Sequence, residues 1–293
     1  MLVTMKPILE AARDGHYGVV APNINNEPSC RAAIAAACEM NAPVILDIGG
    51  AANPDIAFLS EIAAKLAKEA PVPVAINLDH GGAFEIIMKA IASKFTSVMV
   101  DRSTLPFEEN VAQVKEVVKI AHAVGKTVEA ELGHVGQATQ YSEDRDRGLT
   151  TVEEAQAYID QTGVDFLAVA IGTSHGLYPK GMKPVIDFDR LKELRAAVEI
   201  PLVLHGSSGT AEEDLAKCAK LGISKFNIAS DNFQAARECA MAHCDTQKPH
   251  EFLEYYYEGY KNQIKHYMEL VGAKGNGGMS KAQEAQFAKS SIE

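Results

Sequence analysis

Pro201-Leu202-Val203-Leu204-His205-Gly206-Ser207-Ser208-Gly209 is the stretch from which the rest of the chain can be read. Leu202, Val203 and Leu204 are consecutive apolar residues, the mark of a short strand buried on both faces. The run stops at a histidine, small residues follow, and a helical segment opens at Ala211. Such an edge can bind a ligand. The imidazole can take a metal ion, and the free amides and the helix start can take an anion. Taken alone, the turn reads more readily as a core histidine beside an ordinary strand–helix connection. The recurrence of the same design along the chain decides against that.

Working outward, an apolar strand followed by a helical pattern recurs seven more times. Strands are expected at Tyr17–Ala21, Val44–Leu46, Val74–Leu78, Ser97–Val100, Thr127–Ala130, Phe166–Ile171 and Lys225–Ile228, with a helical pattern after each. Arg31–Met40 is alanine-rich with Pro28 in its first turn, and Thr151 to Glu154 has the spacing of a capping box. Short apolar strands alternating with helices imply a parallel sheet. Eight units in about 250 residues imply a TIM (β/α)8 barrel. An open doubly wound sheet is the alternative, but no GxGxxG follows the first strand. The barrel is expected over about 15–240, after a short amphipathic helix at Met5–Asp14. A helical extension over about 241–279 and a polar tail, 280–293, complete a single domain. Tyr255, Tyr256, Tyr257 and Tyr260 in the extension fit either packing on the barrel or a subunit contact.

Composition narrows the function. With 293 residues and 47% hydrophobic content, the chain can bury a large core. No run of about 18 apolar residues suggests a membrane helix, and Met1–Pro7 lacks a signal-peptide core. The five cysteines are scattered and form no CxxC, as expected of reduced thiols in a cytoplasmic protein. A net charge of −11 argues against nucleic acid and anionic membranes as partners. An anionic small molecule must therefore be held by local devices.

Those devices gather at the strand ends. Asp79 and His80, Asp101, Glu131, His175, His205 and Asn227 each close an expected strand. In a barrel all such ends share one rim, where active sites sit. Three histidines without a cysteine suggest a catalytic zinc with an open position. Asp101 and Glu131 are partners of those ligands, ligands of a further ion, or rim salt bridges. Gly206-Ser207-Ser208 and Asn227-Ile228-Ala229-Ser230 follow strands seven and eight, where barrels commonly hold phosphate.

Four segments carry a resemblance: Leu78-Asp79-His80-Gly81, Val128-Glu129-Ala130-Glu131-Leu132-Gly133, Ala168 through Gly176, and Pro201 through Gly206. In order and spacing they resemble the class II, zinc-dependent ketose-bisphosphate aldolases, the tagatose- and fructose-bisphosphate enzymes above all. The resemblance implies zinc on His80, His175 and His205, with Asp101 and Glu131 at accessory metal positions that a second divalent or monovalent cation would use. It implies Asp79 as the acid/base at the aldehyde oxygen. It implies dihydroxyacetone phosphate bound by Gly176, Gly206 to Ser208 and Asn227 to Ser230, with Asn23 among the substrate contacts. The expected partner is a small sugar phosphate, and the expected assembly a homodimer or homotetramer.

The chain departs from that family in three places. Ala138 and Thr139 stand where acids are usual, so Glu143, Asp144, Asp146 or His134 would have to deprotonate dihydroxyacetone phosphate, Glu143 first by reach. Leu46-Asp47-Ile48-Gly49-Gly50 lacks the usual hydroxyl residue, and Arg102 replaces a glycine, with Arg145 and Arg147 further along. These changes leave open a non-standard phosphorylated or sulfonated ketose. A sugar-phosphate-binding barrel without catalysis, or a zinc hydrolase, are readings of other classes. The hydrolase lacks an HxH pair or a carbamylatable lysine at a strand end.

Overall fold

The computed structural model describes residues 1–50, 53–136, 138, 148–176, 178–179 and 181–278. Eight strands run parallel: β1 (Val19–Pro22), β2 (Val44–Gly49), β3 (Val74–Gly81), β4 (Ser97–Val100), β5 (Thr127–Leu132), β6 (Phe166–Val169), β7 (Leu202–Leu204) and β8 (Ile223–Ile228). From β2 to β8 each pairs with its sequence neighbour, and β8 pairs with β1. The last seam, β1 to β2, is held by a bridge between Asn23 and Asp47, with Ile24 N donating to Asp47 O at 2.9 Å. The sheet is a barrel, as the strand–helix alternation implied.

Each strand leads to a helix: α2 (Glu27–Glu39), α3 (Ile56–Glu69), α4 (Phe84–Ala92), α5 (Phe107–Ala123), α6 (Val152–Thr162), α7 (Phe188–Ala197), α8 (Glu212–Leu221) and α9 (Ser230–Ala242). The starts follow from local chemistry. Asn26 accepts from Ser29 N and the Ser29 hydroxyl accepts from Asn26 N, a reciprocal cap for α2. Thr151 Oγ1 accepts from Glu154 N at 3.2 Å and donates to its carboxylate, the box expected from their spacing. Among the described residues no helix is long and apolar enough to cross a membrane.

Two further helices finish the chain. Helix α1 (Met5–Gly15) plugs the N-terminal end of the barrel, with Met5, Ile8, Leu9 and Ala12 packed on Val19, Ile45, Met99 and Phe166 from inside the strands. Helix α10 (Glu251–Leu270) crosses α9 and α2. The crossing is close at Gly259, where a Cβ would lie 2.6 Å from Ala235 O and from Cys239 Cβ. Tyr260 and Tyr267 are buried under α10, so for these two rings packing, not subunit contact, is what the fold uses. The tail, 280–293, lies outside the described residues.

Candidate active site

Strand β3 ends in a distortion that makes the site. Successive residues of a strand face opposite sides, yet Asp79 and His80 both line the same cavity. The β3–β4 register shifts between Leu78 and Gly81, and His80 has φ of 48°. A bulge with a left-handed residue turns both side chains to the mouth.

Below the rim lies a polar layer that fills the barrel axis. Asp47, Asn77, Glu129 and Lys225 are all fully buried. Lys225 Nζ is 2.8 Å from Glu129 Oε2 and 3.4 Å from Asp47 Oδ2. Asn77 and Asn227 donate to the two Asp47 oxygens, each at 2.9 Å. Burial alone would lower the Lys225 pKa, but Asp47, Glu129 and Asp79 push it above the ordinary value. Burial would raise Glu129, but Lys225 and His205 hold it low. Sequence reading assigned no role to these residues. The available signal was spacing: Asn77, Glu129 and Lys225 each stand two residues before a rim residue, Asp79, Glu131 or Asn227, and so point the same way.

The rim rests on this layer. His205 Nε2 lies 2.9 Å from Glu129 Oε1, and His80 Nδ1 lies 2.9 Å from Asp101 Oδ2. Each carboxylate engages the outer ring nitrogen of its histidine, which turns the other nitrogen, His205 Nδ1 and His80 Nε2, to the cavity, 3.1 Å apart. Ligand atoms of His80, Glu131, His175 and His205 all fall within 4.8 Å of one another. Asp101 is thus a partner of His80, its other oxygen taken by Ser103 N and Oγ, and Glu131 is the fourth member of the cluster. Glu131 Oε2 is buried without a hydrogen-bond partner among the described residues.

The charges around the cluster call for a cation. Burial would lower the His80 pKa, but Asp79, Asp101 and Glu131 raise it to about 10. Burial and the charge of Asp101 push Glu131 up to about 8. Burial, with His205 and His80 nearby, brings His175 down to about 3, a neutral ligand. A nitrogen-rich donor set with a carboxylate at hand fits a metal ion. Asp79 stands beside it, held by Asn23 Nδ2 at 2.7 Å and Asn227 Nδ2 at 3.1 Å. Burial would raise its carboxyl, but His80, His205 and Lys225 bring it down to about 2.

The cavity over these groups is about 140 Å³. Its other wall is made of Gly176, Gly206, Ser207, Ser208, Ala229 and Ser230. Gly206 has φ of 69° and a Cβ there would sit 2.5 Å from Ser174 O, so only glycine lets the β6 and β7 loops meet. Ile228 is turned away into the core between barrel and helices. Arg102, one of the departures from the family, does not face solvent. It is buried, donating to Gly81 O and Asp101 O and to Gln113, and braces the loops after β3 and β4. Glu143, Asp144, Asp146, Arg145, Arg147 and Thr139 lie outside the described residues.

A parallel barrel with a histidine–carboxylate cluster that could hold a metal ion at its carboxyl rim defines the class of protein. Known proteins narrow it. The family model described as fructose-bisphosphate aldolase class-II matches residues 3–276. A fructose-bisphosphate aldolase of Thermus caldophilus is 41% identical over 303 residues, spanning 94% of this chain and 99% of that one. The crystal structure of the YdjI aldolase from Escherichia coli K12 superposes with a TM-score of 0.85 at 33% identity, covering 94% of this chain and 100% of that one. A Campylobacter jejuni fructose-bisphosphate aldolase, 22% identical, shares the fold with a TM-score of 0.77 over 93% and 96% of the two chains. The chain belongs to the class II fructose-bisphosphate aldolase family. It is an enzyme, a lyase whose reaction is aldol cleavage.

Proposed function

We propose that the chain reversibly cleaves a ketose 1-phosphate or 1,6-bisphosphate into dihydroxyacetone phosphate and an aldehyde, with zinc as its metal. The carrying observation is the junction of the histidine cluster, Asp79 and the small-residue wall in one cavity. His80, His175 and His205 would hold the ion, with Glu131 within reach and Asp101 behind His80. When bound, the metal supplies a Lewis acid for the substrate's carbonyl. The phosphate is held by the amides and hydroxyls of Gly206 to Ser208 and Ala229 to Ser230, beside Gly176. In cleavage Asp79 takes the proton from the hydroxyl on the carbon that becomes the aldehyde, and in condensation it returns it. Asn23 and Asn227 fix the carboxylate for that role by donating to one oxygen each. The free cysteines, three of them buried, support a cytoplasmic setting, and the proposal includes a homodimer or homotetramer that light scattering would read.

Cleavage leaves an electron pair on the dihydroxyacetone phosphate carbon, which needs a proton. We assign that transfer to Glu143. Its loop starts at the site: His175 N donates to Gly136 O and Ala138 N to His175 O, both at 2.8 Å. The overall reading is tested by assaying zinc-loaded protein for dihydroxyacetone phosphate release across a panel of ketose phosphates. No release from any of them overturns it. For the loop, Glu143→Gln should lose exchange of solvent protons into dihydroxyacetone phosphate while still binding it. Unchanged exchange in Glu143, Asp144 and Asp146 variants would move the role to His134, which is exposed beside Ser103.

A further inference from the structure

Helix α10 touches the site at both ends without lining it. Tyr257, Tyr260 and Tyr267 lie three and seven residues apart, so they share one face, and the last two are separated by about 10 Å along the axis. That face is turned inward, while Lys261 and Lys265 pair with Glu39 and tie the helix to α2. Two of the hydroxyls, those of Tyr257 and Tyr260, meet the loop after β1, and that of Tyr267 meets the start of α9. Tyr257 accepts from Asn26 Nδ2 at 2.8 Å, at the start of α2. Tyr260 donates to Asn23 O at 2.6 Å, and Asn23 Nδ2 holds Asp79 Oδ2 at 2.7 Å. Tyr267 donates to Asp231 Oδ2 at 2.5 Å. The same oxygen accepts from Gly209 N at 3.0 Å, and Asp231 N reaches Ser208 Oγ at 3.3 Å.

We propose that α10 is a strut that sets the two ends of the site separately, with Tyr260 positioning Asn23 and through it Asp79, and Tyr267 positioning the loop of Ser208 and Gly209 through Asp231. Neither tyrosine touches substrate. Both are positioning residues, and this assignment of ends rests on the reading of Asp79 and the phosphate loops given above. The two arms act on different steps. Loosening Asn23 misplaces the proton acceptor and leaves the phosphate grip intact. Loosening Asp231 weakens the grip and leaves the acceptor in place.

Phenylalanine removes only the hydroxyl and keeps the buried ring, so the fold is retained. Tyr260→Phe should lower kcat about five- to tenfold with KM within about twofold. Tyr267→Phe should raise KM, and weaken binding of inorganic phosphate, about five- to tenfold with kcat within about twofold. Tyr256→Phe, on the same helix turn, is the control and should change neither. Hydrogen exchange supplies a readout independent of turnover. The Gly209 amide should exchange faster in Tyr267→Phe only, and the segment 23–26 faster in Tyr260→Phe only. Equal changes in kcat and KM in both variants, or unchanged exchange at both loops, overturn the strut. Local exchange that shifts as expected in a protein releasing no dihydroxyacetone phosphate would uphold the strut and overturn the functional reading instead.

Discussion

The barrel's interior is filled by opposite chemistry in its two halves. Toward the N-terminal end, Met5, Ile8 and Leu9 of α1 meet Val19, Ile45, Met99, Phe166 and Val203, all buried and apolar. Toward the C-terminal end the same bore holds Asp47, Asn77, Glu129 and Lys225, just as deeply buried and all polar. The lower half stabilises the fold by roughly 25 cal/mol per Å² of apolar surface removed from water. The upper half contributes little in net terms, because desolvation of buried charges cancels most of their attraction. What it provides is orientation: Glu129 sets the His205 ring, and Asp47 and Asn227 lead to Asp79. Stability and chemistry are thus stacked along one axis, and substitutions should separate them.

The largest effect belongs to the upper rim. His175→Ala removes one of the three histidines, and the metal content and turnover should both collapse while circular dichroism stays unchanged, since the core does not depend on the ion. Full zinc occupancy by metal analysis would remove His175 from the ligand set. Asp79→Ala should come next, with metal retained, KM near normal and kcat lower by roughly 10²–10⁴-fold, the worth of a placed acid/base. Steady-state kinetics near those of the parent protein would reject its role.

The lower half should answer in the other way. Leu9 is fully buried in the plug. Leu9→Ala should destabilise by about 2–5 kcal/mol through the lost contacts and the cavity left behind, with kcat at 25 °C unchanged. A fall in kcat in the folded variant would break the division, because it would mean that the floor of the barrel positions the rim.

The two halves were not equally legible in the sequence. The rim was, because an apolar run stopped by His, Asp or Glu is visible at the ends of β3 to β7, and barrel topology carries those ends to one place. The layer beneath was not. Lys225 and Glu129 sit inside short strands whose neighbours read as buried, and a charge there is interpretable only with its partner from a strand 96 residues away. Helix α1 was expected from its amphipathic pattern, but the pattern does not say that its apolar face enters the barrel end. For the tyrosines of α10, composition alone could not separate a subunit contact from packing on the barrel, since both bury rings and satisfy hydroxyls.

The smallest effect tests whether polar groups in the lower half obey that half's rule. Ser97, on β4, is fully buried at the level of the plug. Its Oγ accepts from Met5 N at 3.2 Å and lies 2.6 Å from Thr127 Oγ1. Thr4, at the cap position of α1, makes no side-chain cap bond, so a strand residue caps the first turn of this helix from across the barrel floor. Ser97→Ala leaves Met5 N and the Thr127 hydroxyl without that partner, at a cost of about 1–2 kcal/mol. For a chain of this size the melting temperature should fall by about 2–4 °C for each kcal/mol. Turnover and metal content should stay at parent values, because the Ser97 hydroxyl bonds to α1 and to Thr127 rather than to a residue of the rim. Calorimetry and steady-state kinetics on one preparation make the comparison. A parent-like melting temperature with reduced kcat would assign Ser97 to the upper half and move the boundary between the two down to the floor.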